Sequence, residues 1–280
     1  MSAPLALQWS RQYCVQPGGA TEACAWYHGS WQTLRLLGVF QSIRSDDDFF
    51  LPELDCLLGN GVRDILISGA ADFALLSRIA LMAGARIGDI RVTVIDRCAT
   101  PLRLNEWLGK RLGLSITTIQ GDVLSLQAAG QFDLVCTHSF ICFFDQQQRS
   151  ELIRRWHDLL RPNGKVLTAQ RARTNDTEPV IRYREAEILA MAERARRLAT
   201  DQFDRLGIDP SLAHQLALGY GRHHWTYLVR TPAEIRQLFN EQGFSLERFE
   251  PPGDQPAIND PPGTPNQSGS VRWRILASKA

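Results

Sequence analysis

The chain has 280 residues, 44% hydrophobic and 22% charged, with a formal net charge of +1. That composition supports a packed core, and the near-zero charge excludes a global attraction to nucleic acid or to an anionic membrane. No apolar run is long enough to span a bilayer. The start, MSAPLALQWSRQYC, lacks the basic end and apolar stretch of a signal peptide, so a cytoplasmic protein is expected.

Residues 1 to about 25 show no periodicity, contain Pro17-Gly18-Gly19 and read as a loose arm. Residues 26–60 give two short amphipathic helices, the second starting near Asp46-Asp47-Asp48, because acidic residues favour a helix N-terminus. From residue 63 strands and helices alternate. RDILISG precedes a helix from Asp72, IRVTVIDRC a helix from Pro101, and LSITTIQGDV a short crossover. FDLVCTHSFICFF precedes a helix ending at Leu160, and a turn at Pro162-Asn163-Gly164 leads into KVLTAQRA. These are βαβ units, and their continuously apolar strands suit a parallel sheet covered on both faces.

Residues 174–230 break the rhythm with a helical, Arg-rich insertion too long for an ordinary connection. A well-signalled helix follows, with Thr231 as N-cap, Pro232 at its first position and Gly243 at its stop. The last two strands, FSLERFEP and VRWRILASK, are joined by a Pro/Gly/Asn-rich loop without a helix, so they pair antiparallel. The predicted divisions are an N-terminal arm and helices (1–60), a core (61–174), a lid or substrate insertion (175–230) and the rest of the core sheet (231–280). The six cysteines, at 14, 24, 56, 98, 136 and 142, form no C-x-x-C pair. They read as reduced structural thiols, and no metal site is predicted.

Chemistry is expected at the carboxyl edge of the strands, where open α/β sheets bind ligands. The first strand runs into Ser68-Gly69-Ala70-Ala71-Asp72-Phe73, a tight turn where backbone can approach a ligand. The second ends at Asp96-Arg97, the third runs into Gln120-Gly121-Asp122-Val123, and the fourth ends in Thr137-His138-Ser139-Phe140. In this order these segments resemble the class I S-adenosylmethionine (SAM) dependent methyltransferases, over about residues 62–174 and 231–280. The resemblance implies a doubly wound, Rossmann-like, mostly parallel seven-stranded sheet with an antiparallel C-terminal strand, and SAM as cofactor. It places Gly69, Ala70, Ala71 and Asp72 beneath the methionine part of SAM and Asp96, beside Arg97, on the ribose hydroxyls. It gives the adenine amine to Asp122, a ring nitrogen to the Val123 N–H, and methionine contacts to His138, Ser139 and Phe140. The first turn departs from the family run D-x-G-x-G-x-G: Ile67 replaces the acid, and Ala71 and Phe73 replace later glycines. Asp72 is the candidate to take over the amino group.

For an acceptor, Tyr27, His28 and Trp31 read as a pocket wall or as a patch anchoring a helix. Tyr183, Arg184, Arg222 and His223 come from the insertion, where arginine can hold a carboxylate or phosphate bidentately. His223-His224 does not read as a metal pair, since successive residues rarely chelate one ion and no acid is near. His138 is the candidate base, needed only if the acceptor must lose a proton. The expected activity is methyl transfer to a small molecule, without nucleic acid or membrane as partner and with a homodimer left open. A SAM lyase or cyclase releasing methylthioadenosine, and an inactive SAM-binding scaffold, are the alternatives. The missing G-x-G-x-x-G argues against a nicotinamide reductase.

Overall fold

A computed structural model describes residues 2–14, 24–40, 43–253 and 270–280. Pro17–Gly19 and most of the expected C-terminal loop, 254–269, lie outside the described residues. The first element corrects the expected loose arm: α1 (Ala3–Tyr13) is a helix with a proline in its first turn. Its buried residues, Ala3, Ala6 and Ser10, are small and leave no apolar stripe to read. It packs instead by close approach to α2 (Ala25–Leu37): a Cβ on Gly29 would lie 2.4 Å from Ser10 Oγ. α3 (Asp47–Gly59) starts at the acidic cluster as expected, with Asp47 and Asp48 in its first turn.

The alternating region then runs β1 (Asp64–Ser68), α4 (Ala74–Ala83), β2 (Arg91–Asp96), α5 (Ala99–Leu112), β3 (Ser115–Gln120), β4 (Phe132–Cys136), α6 (Gln146–Leu159) and β5 (Leu160–Arg173). The insertion is β6 (Val180–Arg182), α7 (Glu185–Asp201), α8 (Phe203–Leu206), α9 (Pro210–His223) and β7 (Trp225–Tyr227). It is therefore not wholly helical: β6 and β7 pair as a short antiparallel ribbon at its base. α10 (Pro232–Glu241), β8 (Phe244–Glu250) and β9 (Ser270–Lys279) complete the described chain. Thr231 Oγ1 accepts the Glu234 N–H at 3.0 Å, which is the predicted N-cap.

The main sheet has seven strands in the order β3-β2-β1-β4-β5-β9-β8. β1 to β5 are parallel, and β9 runs antiparallel to both of its neighbours, β5 and β8. Strand order reverses between β1 and β4, and the crevice above that switch point is where this class of sheet takes ligands. One face is covered through Phe49, Leu54, Leu76 and Ile79, the other through Ile153, Trp156, Leu238 and Phe239. Trp156 is fully buried and donates its indole N–H to Ser68 Oγ at 3.0 Å, tying α6 to the end of β1. α7 and α9 meet through small residues, Ala192, Ala195, Ala213 and Ala217, and pack on Leu34 and Leu37 of α2. The insertion and α2 thus form one roof over the carboxyl edge of the sheet.

Candidate active site

Beneath that roof lies a cavity of about 850 Å³. Its floor is the turn after β1 and the ends of β2, β3 and β4, and its walls are aromatic side chains of α2, α9 and the ribbon. Gly69 has φ +74, and a Cβ there would lie 2.2 Å from the Phe140 ring. Glycine is thus needed both for the left-handed backbone and for the close approach of Phe140. Ala70, Ala71 and Asp72 line the cavity. Phe73 does not obstruct it, because its ring stacks on Trp107, centroids 5.8 Å apart.

Asp72 has taken a partner that the sequence did not disclose. Its Oδ1 accepts the Ala74 N–H at 2.7 Å, and its Oδ2 meets Arg35 Nη2 of α2 at 2.8 Å. Both residues line the cavity, and the Arg35 Nε is buried without a hydrogen-bond partner. Asp96 accepts two backbone N–H groups, from Ala70 at 2.9 Å and from Cys98 at 2.8 Å, one on each oxygen. A carboxylate oxygen has a second acceptor site, so both remain able to take a ligand hydroxyl. Burial pushes the Asp96 carboxyl above its usual range, while His28 and the two N–H groups pull the other way. Arg97 lines the cavity beside it. Asp122 caps the short turn Val123–Ser125, accepting the Leu124 N–H at 3.0 Å. The Val123 N–H opens that turn, where first-turn donors have no intrahelical acceptor.

At the end of β4, Ser139 has φ +53, a strained conformation for a residue with a side chain. Beside it His138 Nε2 lies 2.9 Å from Asp46 Oδ2. Arg272 of β9 reaches the same oxygen at 2.7 Å, and Arg274 Nε reaches the other at 3.3 Å. Burial works to raise the Asp46 carboxyl, but His138 and Arg272 outweigh it and hold the group well below the usual carboxylate range. Burial lowers the pKa of His138, helped by Arg272 and Arg171 and opposed by Asp46. His138 is therefore a neutral imidazole at pH 7. Its Nε2–H donates to Asp46, which leaves Nδ1 as the basic atom.

The acceptor candidates divide. Tyr27, Trp31 and Tyr183 line the cavity, as does Tyr220, on which Tyr27 stacks at 5.9 Å. Arg184, Arg222 and His223 do not; all three are exposed, and His223 Nδ1 is 2.8 Å from the Gly219 carbonyl. His224 is inside instead, stacked on Tyr220 at 4.9 Å with its Nδ1 unpartnered. Burial, with Arg173 nearby, lowers the His224 pKa to about 3. His28 also reaches the cavity, but its ring lies against the thiols of Cys24 and Cys98. Those two cysteines and Cys14 come together in space, a gathering that their spacing along the chain did not signal.

Residues 77–164 match the family model described as a methyltransferase domain. No curated protein sequence matches the chain significantly. Among solved structures, the [4+2]-cyclase SpnF superposes with a TM-score of 0.53 at 12% identity, covering 82% of this chain and 80% of its own. A candidate O-methyltransferase from Nostoc punctiforme gives 0.51 at 14% identity, covering 99% and 68%. A candidate sarcosine dimethylglycine methyltransferase from Galdieria sulphuraria gives 0.51 at 12%, covering 87% and 92%. At these identities the likeness is one of fold. The strand order and the single reversed strand give the chain the fold of the class I, SAM-dependent methyltransferases, and residues 77–164 of that core match a methyltransferase domain.

Proposed function

We propose that the protein transfers a methyl group to a small, planar, largely apolar acceptor, with SAM as the donor. The observation that carries this reading is one continuous cavity joining Asp96, Asp122 and the Arg35–Asp72 pair to a chamber walled by aromatic rings. The floor residues fit SAM chemically. Asp96 offers two oxygens to vicinal hydroxyls, Asp122 with the Val123 N–H offers an acceptor and a donor to an adenine edge, and Phe140 offers a ring face. The Arg35–Asp72 pair, its acid buried and its guanidinium half-buried, matches a zwitterion, the guanidinium suiting a carboxylate and the acid an ammonium. When bound, SAM supplies a methyl group already activated on a sulfonium.

The protein's task is then to align the acceptor, exclude water and accept a proton where one must leave. Tyr27, Trp31 and Tyr220 form a flat-sided chamber that selects for a planar molecule, and residues 175–230 with α2 act as its lid. His138, held in one tautomer by Asp46, takes the acceptor proton on Nδ1. The test is calorimetric titration with SAM, followed by assay of S-adenosylhomocysteine formation on a panel of phenols and arylamines. One-site binding and product with at least one planar acceptor support the reading. Absence of SAM binding sinks it, and methylthioadenosine from SAM alone replaces it with a lyase.

A further inference from the structure

Cys14 closes α1, Cys24 precedes α2, and Cys98 lies between β2 and α5. Their Sγ atoms all lie within 4.8 Å of one another, with Cys14 and Cys98 at 3.4 Å. Sulfurs sharing a tetrahedral zinc, each about 2.3 Å from it, stand about 3.8 Å apart. The trio is therefore of the right size for one ion. His28, in the first turn of α2, interacts through its ring with Cys24 and Cys98, although it lies outside the set of atoms that are all within 4.8 Å of one another. Its Nδ1 faces the Ala71 carbonyl at 3.4 Å. That is how a ligating imidazole is usually held, one nitrogen on the metal and the other on a backbone carbonyl. Thr100 Oγ1 stands 3.2 Å from Cys14 Sγ as a further hydrogen-bond partner. Cys14, Cys98 and His28 are buried, and Cys24 is half-buried.

We propose that Cys14, Cys24, Cys98 and His28 bind one structural zinc ion in a tetrahedral Cys3His site. A disulfide accounts for less, because it would pair two of the thiols and leave the third, with the imidazole, unexplained. Binding releases the thiol protons to solvent and involves no change of oxidation state. Three thiolates and a neutral imidazole fill all four positions, so the ion is structural and not catalytic. It clamps α1 and α2 to the end of β2, two residues from Asp96. The roof of the cavity is thereby fixed to its floor. The site stands independently of the methyl-transfer reading, since none of its evidence involves SAM.

The test is metal analysis of the full-length protein purified without chelator, then cobalt(II) titration of the reduced, metal-stripped protein. One equivalent of zinc, and thiolate-to-cobalt charge-transfer with tetrahedral d–d bands, support the site. These wild-type readouts need no variant. Cys24→Ser and His28→Gln should weaken cobalt binding by more than roughly a hundredfold, while the exposed Cys56→Ser leaves it unchanged. A protein without zinc that gives no cobalt spectrum overturns the proposal. So does a mass spectrum of the unreduced, metal-free protein showing a Cys14–Cys98 disulfide that reduction does not convert into a cobalt site.

Discussion

The carboxylate of Asp96 holds the turn after β1 through Ala70 and the start of α5 through Cys98, besides facing the cavity. Asp96→Ala would strand two N–H groups, so Asp96→Asn, which keeps one acceptor, is the cleaner variant. We expect Asp96→Asn to weaken SAM binding by about 1.5–3 kcal/mol, the scale of a hydrogen bond to a charged group, and to lower the melting temperature less than Asp96→Ala does, because one N–H is stranded instead of two. Calorimetry with SAM and a thermal scan check both halves; unchanged affinity would mean that the ribose lies elsewhere. His138→Gln should lower kcat by roughly 10²-fold or more while SAM affinity stays within a few-fold. The groups facing His138 are Asp46, Arg272, Arg171 and the Phe50 ring. Their balance, with burial, lowers its pKa, so the basic form persists below pH 6.5. Activity should accordingly hold at pH 6.5 and decline only in more acid buffer, which a pH–rate profile tests. That Asp96, Asp122 and His138 meet at one cavity was legible because each ends an apolar run in a fixed order. Arg35 and Asp46 were not, because each meets its partner only through the fold: Arg35 reaches Asp72 from α2, and Asp46 reaches His138 from before α3.

At the scale of elements, the turn between β1 and α4 is set by Gly69 and the Phe140 ring above it. Gly69→Ala should cost about 2–4 kcal/mol, combining a left-handed alanine with overpacking. Adding Phe140→Ala should recover the packing part and not the backbone part, a double-mutant cycle read by denaturant titration. The junction of α9 and the ribbon carries a pH signature. His224 titrates near 6.5 when unfolded and about 3 when folded. Between those values the unfolded chain binds the extra proton, so stability falls as pH drops through that window. His224→Phe should flatten the slope between pH 6.5 and 4, measured by urea unfolding across the range. The alternating core was readable because long apolar strands and capped helices agree with one another. α1 was not, because its buried face is alanine and serine, and neither was the ribbon, whose two strands of three residues are too short to show a period.

For the whole molecule, Asp46 is the knot: it joins the segment before α3 to β4 through His138 and to β9 through Arg272 and Arg274. A carboxyl held below its unfolded value contributes stability that is full above about pH 4 and is lost as pH falls through the folded pKa. Asp46→Asn should therefore lower stability at pH 7 by about 3 kcal/mol, the cost of breaking a buried ion pair, and should reduce the further loss on acidification. Melting curves from pH 7 to pH 3 decide this. The reversed last strand was predictable from a connection without a helix; its contact with the site was not, since sequence shows no hint that Arg272 and Asp46 meet. β9 pairs along nine positions of β5 and also carries the edge strand β8. During synthesis, then, five parallel strands can assemble while β5 remains an open edge, with β8 and the His138 dyad left unfinished. Closure must wait for residues 270–279 to emerge, add to the open edge of β5 and bring β8 into the sheet. A topology of such high contact order folds slowly, and the exposed β5 edge is the surface on which a stalled or truncated chain would aggregate.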